Sequence, residues 1–246
     1  MRRYARVFSK MNGIIYYSNT NQSKAVAEYF VKETGWDVYD LNQPEQAQRS
    51  VYTVFERAVL VFPVYCQNVP EVIKAFLKRL NARYLTVVAT YGKMCHGRVL
   101  YEIQQCYTAG EIIAAAYVPT KHSYLKEEAV SNFDPLLCVV QKTLSQNPGS
   151  VVIKKTYKNP FANIGKDFRS RMCVKITTDR SKCINCGKCE RECLFGGIKN
   201  GKANANCIRC LKCVTNCPTG ALKSYNRLPL RLYLKKKDVS NWYIHI

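Results

Sequence analysis

Eight cysteines fall in two runs of one spacing: Cys183-Ile-Asn-Cys186-Gly-Lys-Cys189-Glu-Arg-Glu-Cys193, and Cys207-Ile-Arg-Cys210-Leu-Lys-Cys213-Val-Thr-Asn-Cys217-Pro218. Both read C-x2-C-x2-C-x3-C. Three thiolates spaced by two residues turn around one face of a cuboidal [4Fe-4S] cluster, and the fourth points away to ligate the other cluster. The spacing therefore predicts one cluster on Cys183, Cys186, Cys189 and Cys217, and a second on Cys207, Cys210, Cys213 and Cys193. Such clusters move single electrons. Paired structural zinc sites are the competing reading, but they favour two C-x2-C pairs separated by a longer loop. The repeat runs past the cysteines, with Ile198 five residues after Cys193 and Leu222 five after Cys217. Each half predicts a short hairpin strand and a helical turn, with Ile184, Ile198, Ile208, Leu211 and Leu222 shielding the clusters.

Over residues 174–225 the chain resembles the bacterial two-cluster ferredoxins, a small α+β domain. Leu194 stands where that family has the proline that appears here as Pro218. Lys182, Lys188, Arg209 and Lys212 beside the cysteines are expected to raise both potentials relative to an acidic ferredoxin, since net charge and hydrogen bonds to sulfur tune them.

The first 145 residues have another periodicity. A strand-like Gly13–Tyr17 runs into the hydroxyl-rich Ser18-Asn-Thr-Asn-Gln-Ser23, and Ala25, Val26, Tyr29 and Phe30 then mark one side of a helix over 24–34. Backbone N–H groups, hydroxyls and the positive end of a helix dipole suit a phosphate there; plain capping is the alternative. Strands are expected at 36–41, 58–62, 85–89 and 112–118, with helices over 70–81 and 96–108. Runs apolar at every position belong in a parallel sheet covered on both faces, so the fold class is α/β, a doubly wound sheet of five strands with its ligand site beyond the strands' carboxyl ends.

Three segments leave those ends, 18–23, 63–70 and 90–97, and in them the chain is similar to the flavodoxins over residues 12–145. The resemblance implies FMN, its phosphate held by Ser18, Thr20, Asn21, Gln22 and Ser23, and its ring flanked by Pro63, Val64, Tyr65, Thr90, Tyr91 and Gly92. Asn21 and Gln22 replace the glycine and asparagine usual in such loops. Asparagine tolerates a left-handed backbone, so Asn21 is expected to reproduce the turn. A flavodoxin-like scaffold without its flavin is the alternative.

Residues 146–173 read as a basic connection and 226–246 as a basic tail. The 13 cysteines argue for metal or redox use in a reducing compartment, and with no apolar run long enough to span a bilayer the cytoplasm is the expected location. Of the formal net charge of +21, residues 146–246 carry most; two dianionic clusters offset about four charges, and the remainder implies an acidic redox partner such as a ferredoxin, flavodoxin or reductase. No nucleic-acid partner is expected, although the basic run Arg231 to Lys237 also suits RNA or an acidic membrane. Cys66 and Cys95 read as space-filling thiols or a redox pair near the ring, Cys106, Cys138 and Cys173 as core or surface thiols, and His96 and His122 as packing or surface histidines. Residues 1–10 read as a basic surface arm or an extension before the natural start.

A flavodoxin-like module followed by a two-cluster ferredoxin resembles the flavodoxin–ferredoxin fusions known as EFR-family ferrodoxins, found mainly in anaerobes. The resemblance implies electron transfer between clusters and FMN and on to an external partner. No Gly-x-Gly-x-x-Gly follows a strand, which favours a carrier over an enzyme; a ferredoxin-fed flavin reductase of a small molecule is the second reading, and a basic nucleic-acid-binding protein with structural clusters the third.

Overall fold

The structure, a computed structural model, describes residues 11–125, 132–235 and 240–246. The arm at 1–10 and positions 236 and 237 of the basic run lie outside them. In chain order the first module consists of β1 (Met11–Tyr16), α1 (Gln22–Thr34), β2 (Asp37–Asp40), α2 (Pro44–Tyr52), β3 (Val54–Pro63), α3 (Glu71–Leu77), β4 (Asn81–Tyr91), α4 (Val99–Cys106), β5 (Glu111–Pro119) and α5 (Leu137–Leu144). Then follow α6 (Lys166–Cys173), β6 (Val174–Thr178), α7 (Lys188–Arg191), β7 (Ile198–Lys199), β8 (Lys202–Ala203), α8 (Lys212–Thr215), β9 (Leu222–Asn226), α9 (Leu228–Lys235) and β10 (Tyr243–His245).

The large sheet has the order β2-β1-β3-β4-β5-β10. Its first five strands are parallel, as expected. Because successive side chains alternate across a strand, Ile14, Val59, Val61, Val88 and Ala116 join Val26, Phe30 and Val139 in the core on one face. Ile15, Leu60, Phe62, Val87 and Ala115 join Ile73, Phe76, Leu100 and Ile103 on the other. Gly35 ends α1 in the left-handed region, φ 68°, and its N–H returns to the Val31 carbonyl, a glycine stop.

Two sequence expectations change. The sheet has a sixth strand: β10, from the segment read as a tail, pairs antiparallel with β5 through Tyr243 opposite Tyr117 and His245 opposite Ala115. The segment read as a connection is partly built into the first module. Val151 N–H bonds the Ile112 carbonyl, Gln104 bonds the backbone of both Val151 and Ile153, and Lys158 Nζ lies 2.7 Å from Glu102. Ile153 is buried in the core.

Gly110, between α4 and β5, tests how tightly the parallel strands are set. A Cβ there would stand 2.1 Å from the Ala82 carbonyl oxygen and 2.4 Å from that of Arg83, both backbone atoms of β4. Gly110→Ala is expected to destabilise the α/β module by about 3 kcal/mol, read as a lowered urea midpoint with an unchanged slope.

Candidate functional site

The cysteine segment is clasped at its ends by β6 and β9, antiparallel from Val174 opposite Asn226 to Thr178 opposite Leu222. Between them the duplication is written into the backbone. The third residue of each run is left-handed, Asn185 at φ 52° and Arg209 at 61°, and so is the fifth, Gly187 at 67° and Leu211 at 64°. Gly196 and Gly220, three residues past each fourth cysteine, repeat at 56° and 62°. A non-glycine residue at such φ carries a conformational cost, and both halves accept it so that the chain can curl around one object.

What they curl around is outlined by two cavities. One is lined by Cys183, Cys186, Cys189 and Cys217, with Ile184 and Leu222. The other is lined by Cys193, Cys207, Cys210 and Cys213, with Ile176, Ile198, Ile208 and Leu211. Each fourth cysteine thus borders the cavity of the opposite run, and Cys189 borders both. Among the described residues no three His, Cys, Asp or Glu side chains converge on a single ion. Thiolates around zinc would stand about 3.8 Å apart, given Zn–S bonds of ~2.3 Å, and no such group is found among the described residues.

The two cavities differ electrostatically. Burial pushes the Cys210 thiol up to about 11 and Cys213 up to about 12, so iron must displace protons that the protein alone would keep. At Cys217 burial also pushes upward, but Leu222, Thr219 and Ala221 hold the thiol below its ordinary value by hydrogen bonding. Gly197 N–H donates to Cys193 Sγ at 3.1 Å, a bond that stabilises charge on the sulfur. Arg209 donates Nε–H to the Val174 carbonyl at 2.9 Å, and its buried Nη1 has no hydrogen-bond partner.

The second cavity reaches the carboxyl edge of the large sheet, because Asn19 lines it. Asn19 is buried, and its Nδ2 donates to the phenol oxygens of Tyr17 at 2.9 Å and Tyr65 at 2.6 Å. Tyr124, beyond β5, donates its O–H to the Arg209 carbonyl at 3.0 Å, while Asn226 Nδ2 donates to the Tyr124 carbonyl at 2.6 Å. Desolvation pushes Tyr17 up to about 12 and Tyr65 and Tyr124 well upward, and the Cys210 charge adds to all three. Of this group only Asn19 lines the second cavity itself. Tyr17, Asn19 and Tyr124 were not singled out in the sequence; the position of Asn19 between the hydroxyls of 18–23 was its one mark.

All eleven residues expected around FMN lie at this edge, and most are engaged by other groups of the chain. Asn21 has φ 62°, so the phosphate-loop turn is kept. Ser23 Oγ lies 2.8 Å from Thr90 Oγ1, Gln22 Nε2 donates to the Thr20 carbonyl at 3.4 Å, Thr20 Oγ1 is 3.5 Å from Ser123 Oγ, and Ser18 O accepts from Asn42 Nδ2 at 2.8 Å. Beyond Pro63, Val64 N–H bonds the Thr90 carbonyl, and Tyr91 O–H donates to the Asn241 carbonyl at 2.6 Å. A Cβ on Gly92 would stand 2.6 Å from the His122 ring, and one on Gly97 2.6 Å from the Gln67 carbonyl oxygen. The second and third loops therefore touch each other at Gly97 and Gln67, and Gly92 packs on His122. His96 stacks on Tyr117 at 3.8 Å and His122 accepts from Tyr124 N–H; burial lowers both, His122 to about 4, so they act as neutral packing groups.

Residues 175–198 and 204–223 each match a family described as a 4Fe-4S binding domain. No curated protein matches the chain. Among solved structures, the Trp repressor binding protein from Bacillus subtilis is 12% identical, covering 55% of this chain and 97% of its own, with a TM-score of 0.34. The NAD(P)H:quinone oxidoreductase from Methanothermobacter marburgensis is 14% identical over 35% of this chain and 66% of its own, with a TM-score of 0.24. At those scores neither bears on function. The matched spans place two 4Fe-4S ferredoxin-type domains on the duplicated runs. A Cβ on Gly197 would stand 2.7 Å from the Cys207 Cα, so Gly197→Ala is expected to lose the cluster on that side, lowering iron from about eight to about four per chain, as a colorimetric iron assay would show.

Proposed function

We propose that the chain is a one-electron carrier whose two [4Fe-4S] clusters are held by Cys183, Cys186, Cys189 and Cys217 and by Cys193, Cys207, Cys210 and Cys213. The observation that supports it most is the pair of four-cysteine cavities with exchanged fourth ligands and one thiol, Cys189, on both borders. Cys189, lining both cavities, would border both clusters when they are bound. When bound, the clusters supply the redox chemistry. The chain supplies the Gly197 hydrogen bond to sulfur and the nearby cation Arg209, which favour the reduced state, and dry walls, which oppose its extra negative charge.

In this reading the α/β module works without flavin, as a seat for the second cluster, because its loops meet each other and its tyrosines meet the ferredoxin segment. The kept turn at Asn21 favours a second reading, in which the loop holds the phosphate of FMN and the chain feeds a flavin-dependent reduction. Anaerobic purification with iron, sulfide and flavin quantified separates them. About eight iron and eight sulfide per chain with no flavin is the expected result. One FMN per chain establishes the second reading, and iron well below that level overturns both.

Arg209→Gln is expected to lower the potential of the second cluster by some tens of millivolts, since it removes a buried positive charge beside a dianion. Arg209→Lys should recover most of the shift in the same protein-film voltammogram.

A further inference from the structure

The duplication provides its own comparison, since each residue around one cluster has a counterpart around the other. Ile208 is half-buried, whereas its counterpart Ile184 is 65% exposed. Arg209 is half-buried and tied to both Val174 and Tyr124, whereas its counterpart Asn185 is exposed. Cys207 is buried and Cys210 half-buried, against a half-buried Cys183 and an exposed Cys186. The difference follows from the α/β module: Asn19 lines the second cavity, and Tyr124 bonds the run that forms it.

The bare face has an apolar centre in Ile184 and a basic rim. Lys182 and Lys223 are exposed, and both lie near enough to Asp179 to act on its charge. Arg191 bonds the Cys186 carbonyl, and Arg180 bonds the carbonyl of Asn200, a residue of the cavity wall. The nearby acids are engaged, Glu190 by Asn200 N–H and Glu192 by Lys188 and Asn216. An apolar centre with a rim of one charge suits a short-lived encounter with a protein of opposite charge, where rim charges set the association rate.

We infer that the cluster held by Cys183, Cys186, Cys189 and Cys217 is the port of the molecule, and that an acidic one-electron redox protein docks over Ile184 within the rim of Lys182, Lys223, Arg180 and Arg191. One electron leaves the reduced partner and enters this cluster, leaving the partner oxidised by one electron. The second cluster exchanges electrons with the first from beneath its cover. This inference rests on the two-cluster reading and adds the direction from which the partner comes.

The test uses the full chain with its clusters and, as probe, an acidic flavodoxin in its fully reduced form. Iron is measured first, so that a chain without about eight iron counts against the two-cluster reading and not against the choice of port. In stopped-flow mixing at low salt, the Lys182→Glu/Lys223→Glu double variant is expected to keep its iron and to lose at least ~tenfold in the bimolecular rate constant, with a weaker dependence on ionic strength. Carbodiimide coupling of the probe's carboxylates to the native chain should join it to Lys182, Lys188 or Lys223. An unchanged rate in the double variant, or coupling to Lys212 or to lysines of the α/β module instead, overturns the inference.

Discussion

In the proposed reading each cluster takes three thiolates from one cysteine run and one from the other, and this exchange is the constraint from which the rest of the chain follows. Neither half can complete a site alone. The two runs must lie side by side, and the β6–β9 ladder closes the segment around them, from Val174 opposite Asn226 to Thr178 opposite Leu222. The left-handed residues at Asn185, Arg209 and Leu211 oppose folding of the bare polypeptide. Iron–thiolate bonds offset them, as metal binding contributes directly to folding where a site does not preexist. The ferredoxin segment is thus a fold written for its cofactors, with a minor apolar core of its own.

The α/β module meets the opposite condition. Its core is complete on both faces of a parallel sheet, so it needs nothing from the clusters to be stable. It can present a rigid edge to them. That edge is the place where such sheets carry ligands, and here the ferredoxin segment occupies it: Asn19 gathers Tyr17 and Tyr65, and Tyr124 reaches Arg209. The segment 151–159 and the strand β10 hold the edge closed from the other side, through Thr156 to the Gly97 carbonyl, Asn159 to Gln67, and Tyr91 to Asn241. Both come from chain that follows the α/β module in sequence, so the two modules are laced together twice.

The sequence made legible what depends on spacing. The cysteine runs imply the exchanged ligands because a cube has fixed dimensions, and apolar runs at every position imply parallel strands because both faces must be covered. It concealed what depends on a single contact far along the chain. β10 is three residues with no alternation to mark them, and its place comes from the open edge of β5. Residues 151–159 look like a basic connection because their hold on the module runs through backbone groups met by Gln104 and Gln67. Leu211 gives no hint of its left-handed backbone, which is visible in sequence only through its counterpart Gly187. The hydroxyl-rich loop at 18–23 keeps its turn at Asn21, but nothing in its composition marks Asn19 as the residue that lines the second cysteine cavity.

Covering one cluster and exposing the other also has an energetic consequence. The covered site has the Gly197 N–H to Cys193 sulfur and the half-buried Arg209 beside it, whereas the exposed site has hydrogen bonds to Cys217 and a basic rim open to water. Two sites of identical ligation are thereby given different surroundings by a module that contributes none of their ligands. Duplication alone would have produced two equivalent clusters. The asymmetry in exposure between the two cavities arises from where the α/β edge sits, from packing between modules and not from the spacing of the cysteines.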